Sequence, residues 1–138
     1  MDDKNKKSDK SNQGRKNRAA GARFEAKVRA KLEREGWIVD RWTNTTEFKE
    51  GKGRLIPCKP KFNPYTKRLM MNTGGFPDFI AIKKNSKEMY EVIGIECKSN
   101  GYLTKVEKEK AKWLVESCTF GKMIIAKKGK KRGEVVYK

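Results

Sequence analysis

The sequence predicts a three-layer α/β domain with a central mixed sheet, its core elements running α-β-β-β-α-β, and three observations carry this. Apolar residues recur at helical spacing over about 17–35 and again over 104–117. Between them, Phe79-Ile80-Ala81-Ile82 and Val92-Ile93-Gly94-Ile95 are apolar at every position, as strands covered on both faces are. The length, 138 residues, suits one domain with one core.

Residues 1–17 hold almost no apolar groups and are expected to form a disordered basic tail. From about Asn17 to Glu35, Ala20, Phe24, Val28 and Leu32 mark the buried stripe of a first helix, which Gly36 stops. Glu25 borders that stripe, and on one helix alone its expected partner is Arg29, four residues on. Trp37–Thr43 alternates as a first strand. The stretch of about 44–74 reads as an irregular basic insertion, with Pro57, Pro60 and Pro64 and seven Lys or Arg against two Glu. A loop that long inside a small domain tends to be functional. Its simpler reading is a surface hairpin over a satellite core of Leu55, Ile56, Leu69 and Met70.

The two apolar runs supply the next strands, joined by a polar turn around 84–87. Gly94, on the same face as Glu96, is expected to leave space beside it. Thr104 opens a second helix reaching about Ser117, with Ala111, Leu114, Val115 and Cys118 as its buried stripe and Val106 and Trp113 flanking. Thr104-x-x-Glu107 has the form of a capping box. A strand over Lys122–Ala126 follows, and Glu134–Tyr137 can pair with it as an edge.

The formal net charge is +18, from 35 Lys plus Arg against 17 Asp plus Glu. Seven basic and three acidic residues within 1–18 leave +14 for the remainder, so the excess belongs to the body of the domain. A polyanionic partner is the usual reason for such self-repulsion, and nucleic acid is expected. Phe62 and Tyr65 interleave with the basic residues of the insertion, which suits a surface following a phosphate backbone and offering a ring to a base. Candidate DNA contacts are Arg54, Lys59, Lys61, Tyr65, Lys67 and Arg68, with Lys105 at the second helix. No apolar run has membrane-spanning length and no signal-peptide core opens the chain, so an intracellular setting without a membrane partner is expected. Cys58, Cys97 and Cys118 are odd in number and widely spaced, which fits neither a disulfide framework nor a zinc site. Histidine is absent. That excludes Ser-His and Cys-His triads, HExxH zinc sites and histidine-based nuclease chemistry, and leaves carboxylates, lysines, hydroxyls and hard metals.

Asp78, Glu96 and Lys98 stand at the ends of the two apolar strands, where charge near a core must be paired or bind a metal. Strand alternation puts Glu96 and Lys98 on one face and Cys97 on the other. Gly75-Phe76-Pro77-Asp78, followed eighteen residues after the aspartate by Glu96-Cys97-Lys98, resembles the signature of the PD-(D/E)XK nuclease superfamily. Gly21-Ala22-Arg23-Phe24-Glu25 with Gly36 is similar to the first helix of the archaeal Holliday junction resolvase-like branch, from which the 44–74 insertion departs.

The resemblance implies a restriction-endonuclease-like core and a metal-dependent DNA endonuclease hydrolysing phosphodiester bonds, as a homodimer if it resolves junctions. Asp78 and Glu96 would hold Mg²⁺, with Mn²⁺ able to substitute. Glu25 would join the metal directly or through water. Lys98 would stand near the attacking water, and Glu107 would take the place of a helix residue facing the site. The rival expectation is a non-catalytic basic DNA-binding protein.

Overall fold

The computed structural model describes residues 2–58, 61–70 and 75–138, with side chains over 12–58, 62–68 and 75–138. It is an α/β fold with a five-stranded mixed sheet and two helices. Helix α1 spans Asp2–Arg34. It thus begins at Asp2 rather than near Asn17, and residues 2–17, expected to be disordered, continue the helix. No proline interrupts that segment, and Lys, Gln and Arg are good helix formers. At its other end, Gly36 takes φ +95°, the Gly36 N–H reaches Glu33 O (3.1 Å) and the Trp37 N–H reaches Leu32 O (3.0 Å). This is the Schellman pattern that a left-handed glycine permits.

Strands β1 (Ile38–Arg41), β6 (Phe79–Lys84), β7 (Tyr90–Cys97), β8 (Lys122–Lys128) and β9 (Val135–Tyr137) lie side by side in that order. Only β7 and β8 are parallel, and helix α2 (Lys105–Glu116) connects them. One helix covers each face. Phe24, Val28 and Leu32 of α1 pack on Val39, Phe79, Ala81, Ile93, Ile95 and Ala126. On the other face, Leu114 packs with Phe76 and Phe120, joined by Trp42, Ile80, Val92, Ala111 and Met123. The two faces thus take alternate residues of β6 and β7, as their uniformly apolar sequence requires.

The stripe of α2 differs from expectation. Leu114 is buried and Ala111 and Trp113 pack beside it, whereas Val106 and Val115 are exposed. Cys118 is exposed beyond the helix end, at φ +60°. The inward face is therefore 107, 110, 111 and 114, the i, i+3, i+4, i+7 set, and it includes two charged residues.

The insertion is also more regular than expected. It holds two hairpins, β2 (Asn44–Lys49) with β3 (Lys52–Pro57), and β4 (Lys61–Asn63) with β5 (Arg68–Met70). Glu50 and Gly51 form the first turn, both at positive φ, the two-residue geometry that matches strand twist. Asn63 Oδ1 accepts from the Tyr65 N–H (2.9 Å) within the second turn. The β2–β3 hairpin leans on α2, where Gly53 lies so close to the Trp113 indole that any side chain would collide. Of the expected satellite core, Leu55 is exposed, while Leu69 and Met70 have side chains outside the described residues.

Candidate active site

The carboxyl ends of the parallel strands β7 and β8 open beside the point where β6 runs the opposite way. Crevices that hold ligands form at such reversals of strand order. Here Glu25, Asp78, Glu96, Lys98 and Glu107 line one cleft of about 360 Å³. Four separate segments supply them: α1, the turn before β6, the end of β7 and the first turn of α2.

Backbone pairing sets Asp78. The Trp42 N–H donates to its carbonyl (3.0 Å), extending the β1–β6 ladder, and the Cys97 N–H donates to its Oδ2 (2.8 Å). Glu96 is 4% exposed. Burial raises its pKa well above the usual carboxylate range, and the hydrogen bond and charge of Asp78 add to the rise. Lys98 Nζ lies 4.0 Å from Glu96 Oε2, too far to hold that carboxylate ionised against burial. Burial and the neighbouring Asp78 thus both disfavour a second negative charge at Glu96.

Lys98 is tied more firmly to Glu107, Nζ to Oε2 at 2.8 Å. Burial works against its charge, but the Glu107 hydrogen bond and the surrounding carboxylates outweigh that and raise its pKa, so Lys98 remains a cation. Glu107 also completes the capping box: its Oε1 accepts from the Thr104 N–H (3.0 Å) while Thr104 Oγ1 accepts from the Glu107 N–H (3.2 Å). Burial opposes its ionisation, but Lys98 and the Thr104 N–H bring its pKa down to about 2. The helix-cap and site-facing readings of Glu107 therefore both hold, one oxygen for each.

Glu25 does not pair with Arg29, which bonds Glu33 (2.8 Å) and Val39 O (2.9 Å) instead. Its partner is Arg41 of β1, at 3.4 Å. Burial and the Asp78 charge raise the pKa of Glu25, with Arg41 opposing. Gly94 opens no space: it is buried, and a Cβ there would strike Met123 Sδ and approach Pro77. Its role is close packing beneath Glu96. The Cys97 thiol faces the α1 side, where burial and then the Asp78 charge push its pKa far up, so it has no nucleophilic character.

Sequence reasoning missed Lys110, which lines the cleft and donates to Thr45 Oγ1 of β2 at 2.9 Å. Its position one turn after Glu107 was the available signal. Arg41 was likewise missed, because its contact with Glu25 depends on α1 packing across β1. Among the described residues, no group of three or more Asp, Glu or Cys side chains converges as a ready-made metal cluster.

Among the described residues, none of the candidate DNA contacts lines this cleft. Arg54 is paired with Glu47 across the β2–β3 hairpin (2.6 Å). Tyr65, at 95% exposure, tips the β4–β5 turn beside exposed Lys67 and Arg68. Lys105 is exposed at the first position of α2. Lys59 lies outside the described residues, as does the side chain of Lys61. No helix among the described residues is long and apolar enough to cross a membrane. Comparison of the chain with protein-family models, with curated proteins and with solved structures yields no match.

Proposed function

We propose that the chain is a metal-dependent DNA endonuclease of the PD-(D/E)XK type, hydrolysing phosphodiester bonds with water as nucleophile. One observation carries the reading: Glu25, Asp78, Glu96, Lys98 and Glu107 converge on a single cleft in a protein of net charge +18. A helix on each face of a mixed sheet agrees with the restriction-endonuclease-like core that the motif resemblance implies.

The donor set fits a hard divalent cation. Asp78 and Glu96 present oxygen ligands side by side, and a cation between them would offset the burial and mutual repulsion that raise the Glu96 pKa. Asp78 and Glu96 would hold Mg²⁺, or Mn²⁺ in its place, with Glu25 joining directly or through water. When bound, such an ion neutralises phosphate charge and makes a water more acidic. The chain's own groups do the rest. The Cys97 N–H orients Asp78, and Arg41 holds Glu25 toward the cleft. Lys98, kept protonated by Glu107, donates to a phosphate oxygen and stabilises the charge that builds in the transition state. Lys110 supplies a second cation at the same wall, where a flanking phosphate would lie. Selectivity for a branched structure, such as a four-way junction cut by a homodimer, belongs to the same proposal.

The test is a labelled panel of duplex, nicked, flapped and four-way DNA assayed with Mg²⁺. Asp78→Ala and Glu96→Ala are each expected to abolish cleavage, at least 10³-fold, while DNA binding persists in a gel-shift assay. Full cleavage by Asp78→Ala would overturn the proposal. The second reading, a non-catalytic basic DNA-binding protein, draws on the self-satisfied Lys98–Glu107 pair. It requires DNA binding that is indifferent to Mg²⁺ and no cleavage of any form.

A further inference from the structure

The turn between β8 and β9, with the end of β8, reads Lys127-Lys128-Gly129-Lys130-Lys131-Arg132-Gly133-Glu134, four lysines and one arginine against one acid. Its shape is held from within. Glu134 accepts from the Lys131 N–H through Oε2 (3.1 Å), and from the Gly129 N–H through its carbonyl (2.9 Å). Lys31 of α1 pins the turn by donating to Gly133 O at 2.8 Å. The single acid is thus spent on folding the turn. Among the described residues no ion pair engages Lys27, Lys128, Lys130, Lys131 or Arg132, and the last three are exposed.

This turn belongs to the same edge of the sheet as the cleft. Because β7 and β8 are parallel, Cys97 pairs with Ala126, the Lys98 N–H donates to Ala126 O (2.9 Å) and the Lys128 N–H to Ser99 O (3.2 Å). Three concavities then follow in series. One of about 420 Å³ lies against the turn, with Lys27 and Lys128 in its wall. A second, of about 370 Å³, shares Phe24 and Lys128 with the first and shares Glu25, Cys97 and Lys98 with the catalytic cleft. Gly21 lies along this middle stretch with nothing within 4 Å of where a Cβ would stand, and Ser99 and Asn100 offer polar groups there.

From this continuity we infer that the β8–β9 turn is the anchor of a phosphate-backbone track. One strand of DNA runs from Lys130, Lys131 and Arg132, past Lys128 and Lys27, into the carboxylate site. The track rests on the endonuclease reading for its destination, but the binding it describes can be measured without cleavage. Unpaired cations on a pinned turn suit this role: they meet phosphates with no ion pair to break, and the ordering of the turn is already accomplished.

The experiment replaces Lys130, Lys131 and Arg132 together with alanine in the full chain, and compares Lys84, Lys87 and Lys122→Ala at the opposite end of the sheet. The readout is the slope of log Kd against log salt for a defined DNA. Each lost phosphate contact lowers the slope by about 0.7–0.9, so the turn variant should lose roughly 2 while the control variant matches the parent. Shortening the DNA on the flank that reaches the turn should weaken the parent and leave the turn variant indifferent. Equal slopes in parent and turn variant, or equal losses in both variants, would overturn the track. Tighter binding of RNA than of DNA of the same sequence would overturn DNA as its occupant. A parent that binds with the expected slope yet cuts nothing would remove the endonuclease reading and leave the track standing.

Discussion

Glu107 divides its carboxylate between a backbone cap and a cation, and the two duties respond differently to substitution. Glutamine also serves at the third position of a capping box, so Glu107→Gln keeps the cap while removing the charge that Lys98 meets at 2.8 Å. The folded pKa of Glu107 is depressed to about 2. Its contribution is therefore present above the unfolded value near 4.5 and is lost as pH falls toward 2. After allowance for solvent at Lys98, the expected cost of Glu107→Gln near neutral pH is on the order of 1–2 kcal/mol. Urea unfolding across pH should show the gap to the parent closing between about 4.5 and 2; a gap independent of pH would remove the ion pair as its cause. Glu96 has the opposite sign. Its folded pKa is raised, so its favourable neutral form is fully present below 4.5 and grows more costly to keep as pH rises through the folded value. Without metal, Glu96→Gln should gain stability relative to the parent above about pH 5, and it should lose the Mg²⁺-induced rise in Tm. A variant that still responds to Mg²⁺ would remove Glu96 from the ligand set. Asp78, Glu96 and Lys98 were legible because charge at the end of an apolar run is anomalous within a few residues. Arg41 and Lys110 were not, since Arg41 meets Glu25 only where α1 packs across β1, and Lys110 shows in the sequence no more than a place one turn after Glu107.

At the level of elements, β6 and β7 were readable from composition, because their stretches covered on both faces, 79–82 and 92–95, are apolar throughout. The buried stripe of α1 was readable too, as Phe24, Val28 and Leu32 repeat once per turn. The stripe of α2 was misjudged because the site recruits Glu107 and Lys110 to the inward face, turning Val115 and Cys118 outward. Apolar periodicity cannot register a helix whose buried face is partly ionic. The hairpin of 44–57 was obscured by the prolines and charges around it, although Glu50-Gly51 between two β-branched or aromatic runs was a usable turn signal. Gly94 carries the test at this scale. Its Cβ position is already occupied by Met123 Sδ, with Pro77 behind it, so Gly94→Ala should cost about 1–3 kcal/mol through overpacking. The strain falls two residues before Glu96, so cleavage should drop along with Tm. An alanine variant as stable as the parent would show that the layer between α2 and the sheet yields readily there.

For the molecule as a whole, +18 is distributed over helix, hairpins and turn, with few ion-pair partners among the described residues. Several of the ion pairs among the described residues join neighbours one helical turn apart or cross a single hairpin, as Arg29–Glu33, Lys112–Glu116 and Arg54–Glu47 do. Exposed pairs of this kind contribute little. The remaining cations repel one another at distances where screening matters, since the Debye length is about 10 Å at 0.1 M salt. Folding gathers them, so the folded state carries more of the repulsion than the extended chain. Raising NaCl from about 0.05 to 0.5 M should therefore raise Tm by a few degrees, the reverse of what a protein held by surface ion pairs would show. A short DNA duplex at low salt should raise Tm further, because it binds the folded chain and neutralises the same charges. That increment should shrink as NaCl rises, so the two stabilising agents compete instead of adding. Additive effects would mean that DNA binds through groups other than the unpaired cations, and the charge of the domain would then need another explanation.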